Sequence, residues 1–162
     1  MTSRFLELLR ALDRHAVEHV IVGGVAAILE GAPMTTLDLD VVYRLDDDNI
    51  ERLGRALEAL EARYRDPAGR VILPTPDRLR ATRVNLLETR LGLLDVMHEV
   101  GAGWRYEDLV ARSHVREIEE LRVQVLDLGD VIASKEVAGR DKDRAMLPLL
   151  RRTLELKREK EC

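Results

Sequence analysis

Residues 20–42, VIVGGVAAILEGAPMTTLDLDVV, contain the pattern that decides the fold. A short apolar run, Val20 to Val22, stops at Gly23 and Gly24, and a second apolar run then ends before Gly31. The first run predicts a strand and the second predicts a short helix. Apolar residues alternate with aspartate over residues 37–42, which predicts another strand. The predicted order is therefore strand, double glycine, helix, strand.

The alternating strand places two carboxylates together. Residues two apart in a strand point to the same face, so Asp38 and Asp40 share one face, about 6.5–7 Å apart at Cα. Leu37, Leu39 and Val41 are expected to fill the other face. Neighbouring carboxylates repel each other unless a cation lies between them or one binds a proton. A hard divalent cation such as Mg²⁺ suits this pair, and a solvent-facing strand edge is the alternative interpretation.

Two other features extend this chemistry. Gly23 and Gly24 lie between a strand and a helix, where bare backbone N–H groups can hold phosphate, although a plain turn would look the same. A third carboxylate, Asp95, interrupts the otherwise apolar strand LLDVM at 93–97. It is either a further metal ligand or a structural hydrogen-bond acceptor.

A cluster of cations surrounds a predicted helix break at Gly139. Its members are Lys135, Arg140, Lys142 and Arg144. Whether Lys135 and Lys142 share a face depends on whether the helix continues through the glycine. Such cations would neutralise a triphosphate, and a solvated helical face is the alternative.

The remaining pattern predicts an α+β fold with helices packed on a mixed β-sheet and two C-terminal helices. The other predicted elements are a helix from Ser3, a helix from the acidic run 46–48 to about Arg63, strands at 81–89 and 91–97, a hairpin at 115–126, and two helices divided at Gly139. Residues 66–76 are expected to be irregular, and the charged tail from Glu155 is expected to fray. We expect a single domain over 1–162, with a sheet core at 1–127 that holds the metal site and C-terminal helices at 128–162.

Composition narrows the classes of function. The chain has 162 residues, a net charge of −4, one cysteine (Cys162) and 3% aromatic residues. A single cysteine excludes a disulfide framework and a cysteine-based zinc site. The charge excludes a non-specific nucleic-acid binder, and the scarcity of aromatics argues against a base-stacking sheet surface. No apolar run reaches the roughly 18 residues of a membrane span. We therefore expect a cytoplasmic protein without a membrane partner.

Four segments of the chain resemble a known superfamily. VIVGGVAAILEG, TTLDLDVV, LGLLDVMHEVG and DVIASKEVAGRDKDR follow one another over about residues 20–144. Together they resemble the polymerase-β-like nucleotidyltransferases, in particular small bacterial proteins related to the toxins of abortive-infection systems. The resemblance implies a nucleotidyltransferase-type mixed sheet and an enzyme that uses Mg²⁺ or Mn²⁺. It also implies transfer of an NMP from an NTP, for example ATP, to an acceptor hydroxyl.

The resemblance also implies roles for individual residues. Asp38 and Asp40 would coordinate both metals, while Asp95 would coordinate the metal that activates the acceptor hydroxyl. The residues that would bind the nucleotide are Gly23, Gly24, Thr36, Lys135, Arg140 and Lys142. The acceptor stays open among tRNA, a protein and a small molecule such as an aminoglycoside. The small size suits an enzyme that depends on a partner protein, as in a toxin–antitoxin pair.

Two departures from the superfamily pattern keep another function open. Val25 stands where many members have serine, and Met34 stands where related sequences have arginine. Both changes remove a group that is expected to bind phosphate. Arg44 or Arg83 are possible substitutes for these groups. The alternatives are therefore a catalytically degenerate nucleotide-binding or protein-interaction module of the same fold, and a hydrolase that uses water as the acceptor.

Overall fold

A computed structural model describes residues 3–162 of the chain. In chain order its elements are α1 (Ser3–Arg14), β1 (His19–Val22), α2 (Gly23–Leu29), β2 (Asp38–Tyr43), α3 (Asp47–Ala59), β3 (Arg63–Tyr64), α4 (Pro76–Ala81), β4 (Val84–Thr89), β5 (Gly92–Met97), α5 (Tyr106–Val110), β6 (Ser113–Ile118), β7 (Leu121–Leu126), α6 (Leu128–Ala138) and α7 (Asp141–Glu161).

The strands form one seven-stranded mixed sheet in the order β3-β4-β5-β2-β1-β7-β6. Strands β1 and β2 are antiparallel, whereas β2 pairs with β5, and β1 with β7, in parallel. Helix α2 contacts β1, β2, β7 and α6, and α6 in turn contacts α7. The predicted α+β class, with a mixed sheet and two C-terminal helices, is confirmed.

Local signals explain where the main helices begin and end. Helix α3 starts after Asp46, whose side chain accepts a hydrogen bond of 2.8 Å from the Asn49 N–H, with Asp47 and Asp48 in its first turn. These acidic groups stabilise the positive end of the helix dipole. Helix α6 ends where Gly139 adopts a left-handed conformation with φ of +61°. Glycine adopts this conformation without strain, so the predicted helix break is confirmed.

Several boundaries differ from the sequence prediction. Leu37 is 82% exposed rather than part of the buried face, because β2 and its pairing with β5 begin at Asp38. Helix α3 stops at Ala59, and residues 63–64 form the short strand β3 instead of a helix end. Residues 66–75 are irregular as expected, but Pro76, predicted to be irregular, begins α4, and the predicted strand at 81–89 begins only at Val84 because α4 precedes it.

The C-terminal tail is helical, not frayed. Helix α7 continues to Glu161. Its last turns are held because the ammonium group of Lys157 contacts the carboxylate of Glu30, whose side chain is fully buried directly after α2. A buried carboxylate needs such a partner. No helix within residues 3–162 combines the length and apolar character that a membrane span requires.

Candidate active site

Three carboxylates from two neighbouring strands meet at the centre of the sheet. Strands β2 and β5 are parallel, and their register sets Asp40 directly beside Asp95. Asp38 lies two residues before Asp40, on the same face. One carboxylate oxygen from each of the three residues lies within 4.8 Å of the others. The predicted strand face, with Asp38 and Asp40 side by side, is therefore present, and the fold adds Asp95 to it.

The double glycine packs tightly against this acidic group. Gly23 has φ of +63°, and a Cβ added there would overlap Oδ2 of Asp40. A Cβ at Gly24 would lie 2.9 Å from Cβ of Thr36. Both positions therefore exclude larger residues, since the neighbouring side chains fill the space. Gly23, Gly24 and Thr36 line the same cavity as the carboxylates.

The cations of the helix break face the carboxylates across the cavity. Because the chain turns at Gly139, Lys135 on α6 and Lys142 on α7 line one cavity although the helix is broken. Arg140 lines it as well. Within residues 3–162, Lys142 forms no ion pair with a carboxylate. Its ammonium group is therefore available to an anionic ligand.

Asp143, which the sequence analysis did not single out, organises this cationic wall. Its side chain is 1% exposed and accepts hydrogen bonds from Arg140 Nε at 2.6 Å and Lys135 Nζ at 3.5 Å. Burial alone would raise the pKa of Asp143, but the hydrogen bond and charge of Arg140, with the charge of Lys135, lower it. Asp143 therefore stays ionised and orients the two cations.

The electrostatics of Asp40 are unusual. Its pKa is raised from 3.8 to about 7, first by burial and then by the adjacent Asp38 carboxylate, against the opposing charges of Lys135, Lys142 and Arg140. Within the described part of the chain, the buried Oδ1 of Asp40 has no hydrogen-bond partner. Carboxylate oxygens are the donors that Mg²⁺ and Mn²⁺ prefer. An unpartnered buried oxygen within a group of three carboxylates fits such a cation, with Asp38, Asp40 and Asp95 as its ligands.

The raised pKa of Asp40 predicts the pH dependence of stability in metal-free buffer. Between pH 3.8, the ordinary pKa, and about 7, the folded chain holds a proton on Asp40 that the unfolded chain releases. The free energy of unfolding should therefore fall across this interval as pH rises, by on the order of a few kcal/mol, and level off above it. Denaturant unfolding at pH 5, 6, 7 and 8 measures this. The slope attributable to this site should be absent in Asp40→Asn; equal slopes in both proteins would contradict the prediction.

An arginine that the sequence analysis missed lies directly on the acidic group. Arg65, immediately after β3, contacts Asp95 Oδ1 through Nη2, and its Nη1 lies 3.6 Å from Asp38 Oδ2. No local sequence signal marked it, because strand β3 has only two residues and its pairing with β4 joins distant parts of the chain.

The residues at the departures from the superfamily pattern divide between core and cavity. The Val25 side chain is fully buried in the core, so this position presents no group to the cavity, whereas Met34 lines the cavity wall. Of the two substitutes considered, Arg83 lines the cavity and pairs with Glu99 at 2.9 Å. Arg44 does not line this cavity and instead pairs with Glu18 and Asp46. The expectation that Arg44 serves the phosphate site is therefore not supported by its position.

The cavity itself has a volume of about 560 Å³ and is open to solvent. Exposed apolar side chains from β4 and α6 also line it: Val84, Leu86 and Val137. A metal-bound polyphosphate would fit between the carboxylates and the cations, because the metal would bind the carboxylates and the phosphates would meet the cations. The apolar side chains suit an uncharged part of a ligand.

Comparison with solved structures shows which proteins share this fold. The antibiotic-resistance factor ANT(2″)-Ia in solution matches with a TM-score of 0.60 and 16% identity over 94% of this chain and 83% of its own. A Thermotoga maritima protein assigned as a nucleotidyltransferase matches with a TM-score of 0.58 and 15% identity over 89% and 88% of the two chains. ANT(2″)-Ia in complex with adenylyl-2″-tobramycin matches with a TM-score of 0.57 and 18% identity over 98% and 92%.

At these identities the solved structures show the fold alone. None of the curated protein sequences compared with this chain matches it. A family model, in contrast, matches residues 3–148, which include every carboxylate and cation of the cavity described above. The chain therefore belongs to the family described as nucleotidyltransferases of unknown function (DUF6036).

Proposed function

We propose that the protein is an enzyme that transfers an NMP from an NTP to an acceptor hydroxyl and requires Mg²⁺ or Mn²⁺. The observation that carries this proposal is the placement of Asp38, Asp40 and Asp95 opposite Lys135 and Lys142 in one cavity. Phosphoryl transfer depends mostly on positioning and on neutralisation of charge, and this arrangement supplies both.

The carboxylates divide the work of the reaction. Asp38 and Asp40 would hold the metal ions, which when bound neutralise the phosphates and polarise the α-phosphate. Asp95 would also coordinate the metal that activates the acceptor hydroxyl, and it would accept the proton of that hydroxyl as the hydroxyl oxygen bonds to the α-phosphorus. The bond from that phosphorus to the bridging oxygen of pyrophosphate then breaks, and pyrophosphate leaves with the electron pair.

The other cavity residues would hold the triphosphate. Lys142, which has no carboxylate partner among residues 3–162, would meet the phosphates directly, with Lys135 and Arg140 held beside it by Asp143. Gly23 and Gly24 would let the phosphates approach the backbone, next to the hydroxyl of Thr36. In this proposal 1–162 is one domain, in which the helices at 128–162 bring the cations to the metal site of the sheet core at 1–127.

The acceptor is proposed only as a class of hydroxyl compound. One structural neighbour was solved with adenylyl-2″-tobramycin, so a small-molecule acceptor is a candidate. A tRNA and a protein side chain are the others, and a protein partner of the toxin–antitoxin kind would supply further recognition of the acceptor. Met34 in the cavity wall favours a second candidate, a nucleotide-binding module of the same fold without catalysis, because it offers no charge to a phosphate.

Calorimetric titration with each NTP, with and without Mg²⁺, tests the proposed function. Wild type should bind at least one NTP only when Mg²⁺ is present, and Asp38→Asn should lose that binding. The matched control is Asp77→Asn, which removes the same charge from a side chain that is 96% exposed on α4. The control should bind as wild type does.

The outcomes separate the candidates. Mg²⁺-dependent binding justifies a search for the acceptor with α-labelled nucleotide, and release of NMP without an acceptor would reveal hydrolysis instead. Binding that ignores Mg²⁺ and survives Asp38→Asn would favour the non-catalytic module. A protein that binds no NTP would contradict both candidates.

A further inference from the structure

The guanidinium group of Arg65 contacts two of the three carboxylates that would bind a cation. It contacts Oδ1 of Asp95, and its Nη1 lies 3.6 Å from Oδ2 of Asp38. These two carboxylates lie on adjacent strands, and one forked side chain reaches both. A planar guanidinium with several donors suits such bridging, which a single ammonium group does not reproduce.

The backbone of Arg65 is held in place by the sheet, whereas its guanidinium group is held less firmly. The N–H of Arg65 donates to the carbonyl oxygen of Leu86 at 3.0 Å, so the backbone is tied to the sheet edge. The following turn is closed by Asp66, whose carboxylate pairs with Arg70 at 2.9 Å. The side chain of Arg65 is 29% exposed, and its buried Nε has no hydrogen-bond partner within residues 3–162. The side chain is therefore only partly enclosed, and one nitrogen of the guanidinium is unpaired where it lies.

The charges around the acidic group come from two directions. Lys135, Lys142 and Arg140 act on Asp40 from the helical side of the cavity. Arg65 compensates Asp38 and Asp95 from the sheet edge. Without Arg65, two partly buried carboxylates beside a third would have no cationic contact in the described chain, an arrangement that strongly destabilises a protein.

The same contacts oppose metal binding. A carboxylate oxygen that accepts a hydrogen bond from a guanidinium cannot at the same time offer that lone pair to a metal ion. Asp38 and Asp95 are also two of the three residues whose oxygens lie within 4.8 Å of one another. The guanidinium and a divalent cation therefore compete for the same two carboxylates.

We propose that Arg65 is an internal counter-ion that holds Asp38 and Asp95 in the metal-free protein and sets the metal affinity, because the divalent cation must displace it. The proposal rests on the proposed function, since it concerns the same metal site. It makes Arg65 a positioning residue: its guanidinium holds Asp38 and Asp95 before the metal binds and moves away from them when the metal arrives.

Direct measurement of Mn²⁺ binding tests the proposal without any assay of transfer. Electron paramagnetic resonance of free Mn²⁺ gives the dissociation constant of wild type, Arg65→Gln and the control Arg63→Gln. Arg63 is two residues away and pairs with Glu88 at 2.5 Å, outside the cavity, so the control removes the same charge from the same strand. Arg65→Gln should bind Mn²⁺ about tenfold more tightly or better, the equivalent of the charge-assisted hydrogen bond to Asp95 that it lacks. The control should bind as wild type does.

Metal-free stability provides the second readout. Arg65→Gln should melt at a lower temperature than Arg63→Gln without metal, and Mn²⁺ should raise its midpoint by more than it raises that of wild type. Arg65→Lys keeps the charge without the fork, so its Mn²⁺ affinity should lie between those of wild type and Arg65→Gln. It also serves as the test if the glutamine variant does not fold.

The possible failures are distinguishable. If wild type binds Mn²⁺ and the Arg65 variants bind it equally or more weakly, the counter-ion proposal is overturned while the proposed function stands. If no variant and no wild-type protein binds Mn²⁺, the metal site of the proposed function fails, and the competition falls with it.

Discussion

Asp40→Asn is expected to lower the rate of Mg²⁺-dependent nucleotide transfer by at least about 10²–10³-fold without destabilising the metal-free protein. The amide has the shape of the carboxylate but lacks its charge, so the metal loses a ligand while the packing against Gly23 is kept. Burial and the neighbouring Asp38 already disfavour the charge of Asp40, which raises its pKa to about 7. Its removal should therefore leave the free energy of unfolding at pH 8 unchanged or higher.

Two measurements on the same variant check this pair of effects. Transfer from α-labelled NTP gives the loss of activity, and urea unfolding in the presence of a chelator gives the stability. Asp77→Asn, at an exposed position on α4, again removes one charge without touching the cavity and should change neither quantity. A large loss of metal-free stability in Asp40→Asn would instead show that Asp40 is a structural hydrogen-bond acceptor. That result would contradict the metal-site interpretation.

Gly23→Ala is expected to lower the free energy of unfolding by about 2–4 kcal/mol and to weaken metal binding. Two effects add at this position: φ is +63°, where a side chain is strained, and the new Cβ overlaps Oδ2 of Asp40. The methyl group has no free direction, so relief requires that Asp40 or the start of α2 moves. Either movement separates the carboxylates that a metal ion would need.

Gly69→Ala isolates the strain from the overlap. Gly69 has a similar φ of +73°, but an added Cβ would meet no atom within 4 Å. Its replacement should cost only about 1–2 kcal/mol of backbone strain and should leave metal binding intact. Urea unfolding and Mn²⁺ titration of both variants measure the difference. Equal losses of stability with unchanged Mn²⁺ affinity would show that the contact between Gly23 and Asp40 has no functional consequence.

Those parts of the site that depend on local pattern could be predicted from the sequence. The period of two in a strand fixes Asp38 and Asp40 on one face wherever that strand lies in the sheet. Gly139 marks a helix end through its own conformational freedom, and the acidic run at 46–48 marks a helix start through the helix dipole. These features need no knowledge of distant neighbours.

The parts that depend on long-range pairing could not be derived in the same way. Asp95 lies beside Asp40 only because β2 and β5 pair in parallel across the intervening residues, so the local pattern marked Asp95 as a candidate but left its role open between a metal ligand and a structural acceptor. Arg65 follows a two-residue strand and Asp143 is buried by the packing of α7 on α6. Short elements such as α4 and α5 carry too few residues for a periodic pattern, although Pro76 after Thr75 is a usable start signal.

The contact between Glu30 and Lys157 has a mechanical consequence for the cavity. Helix α2 begins at the glycine turn beneath the acidic group and ends next to Glu30, while α7 carries Lys142 near its start and Lys157 near its end. The contact between Glu30 and Lys157 therefore joins the end of α2 to the end of α7. A movement of α7 away from α2 would break the contact at Glu30 and leave a buried carboxylate without its ammonium partner, which costs free energy. We therefore expect the cavity to adjust to a ligand through its side chains before it adjusts through its helices.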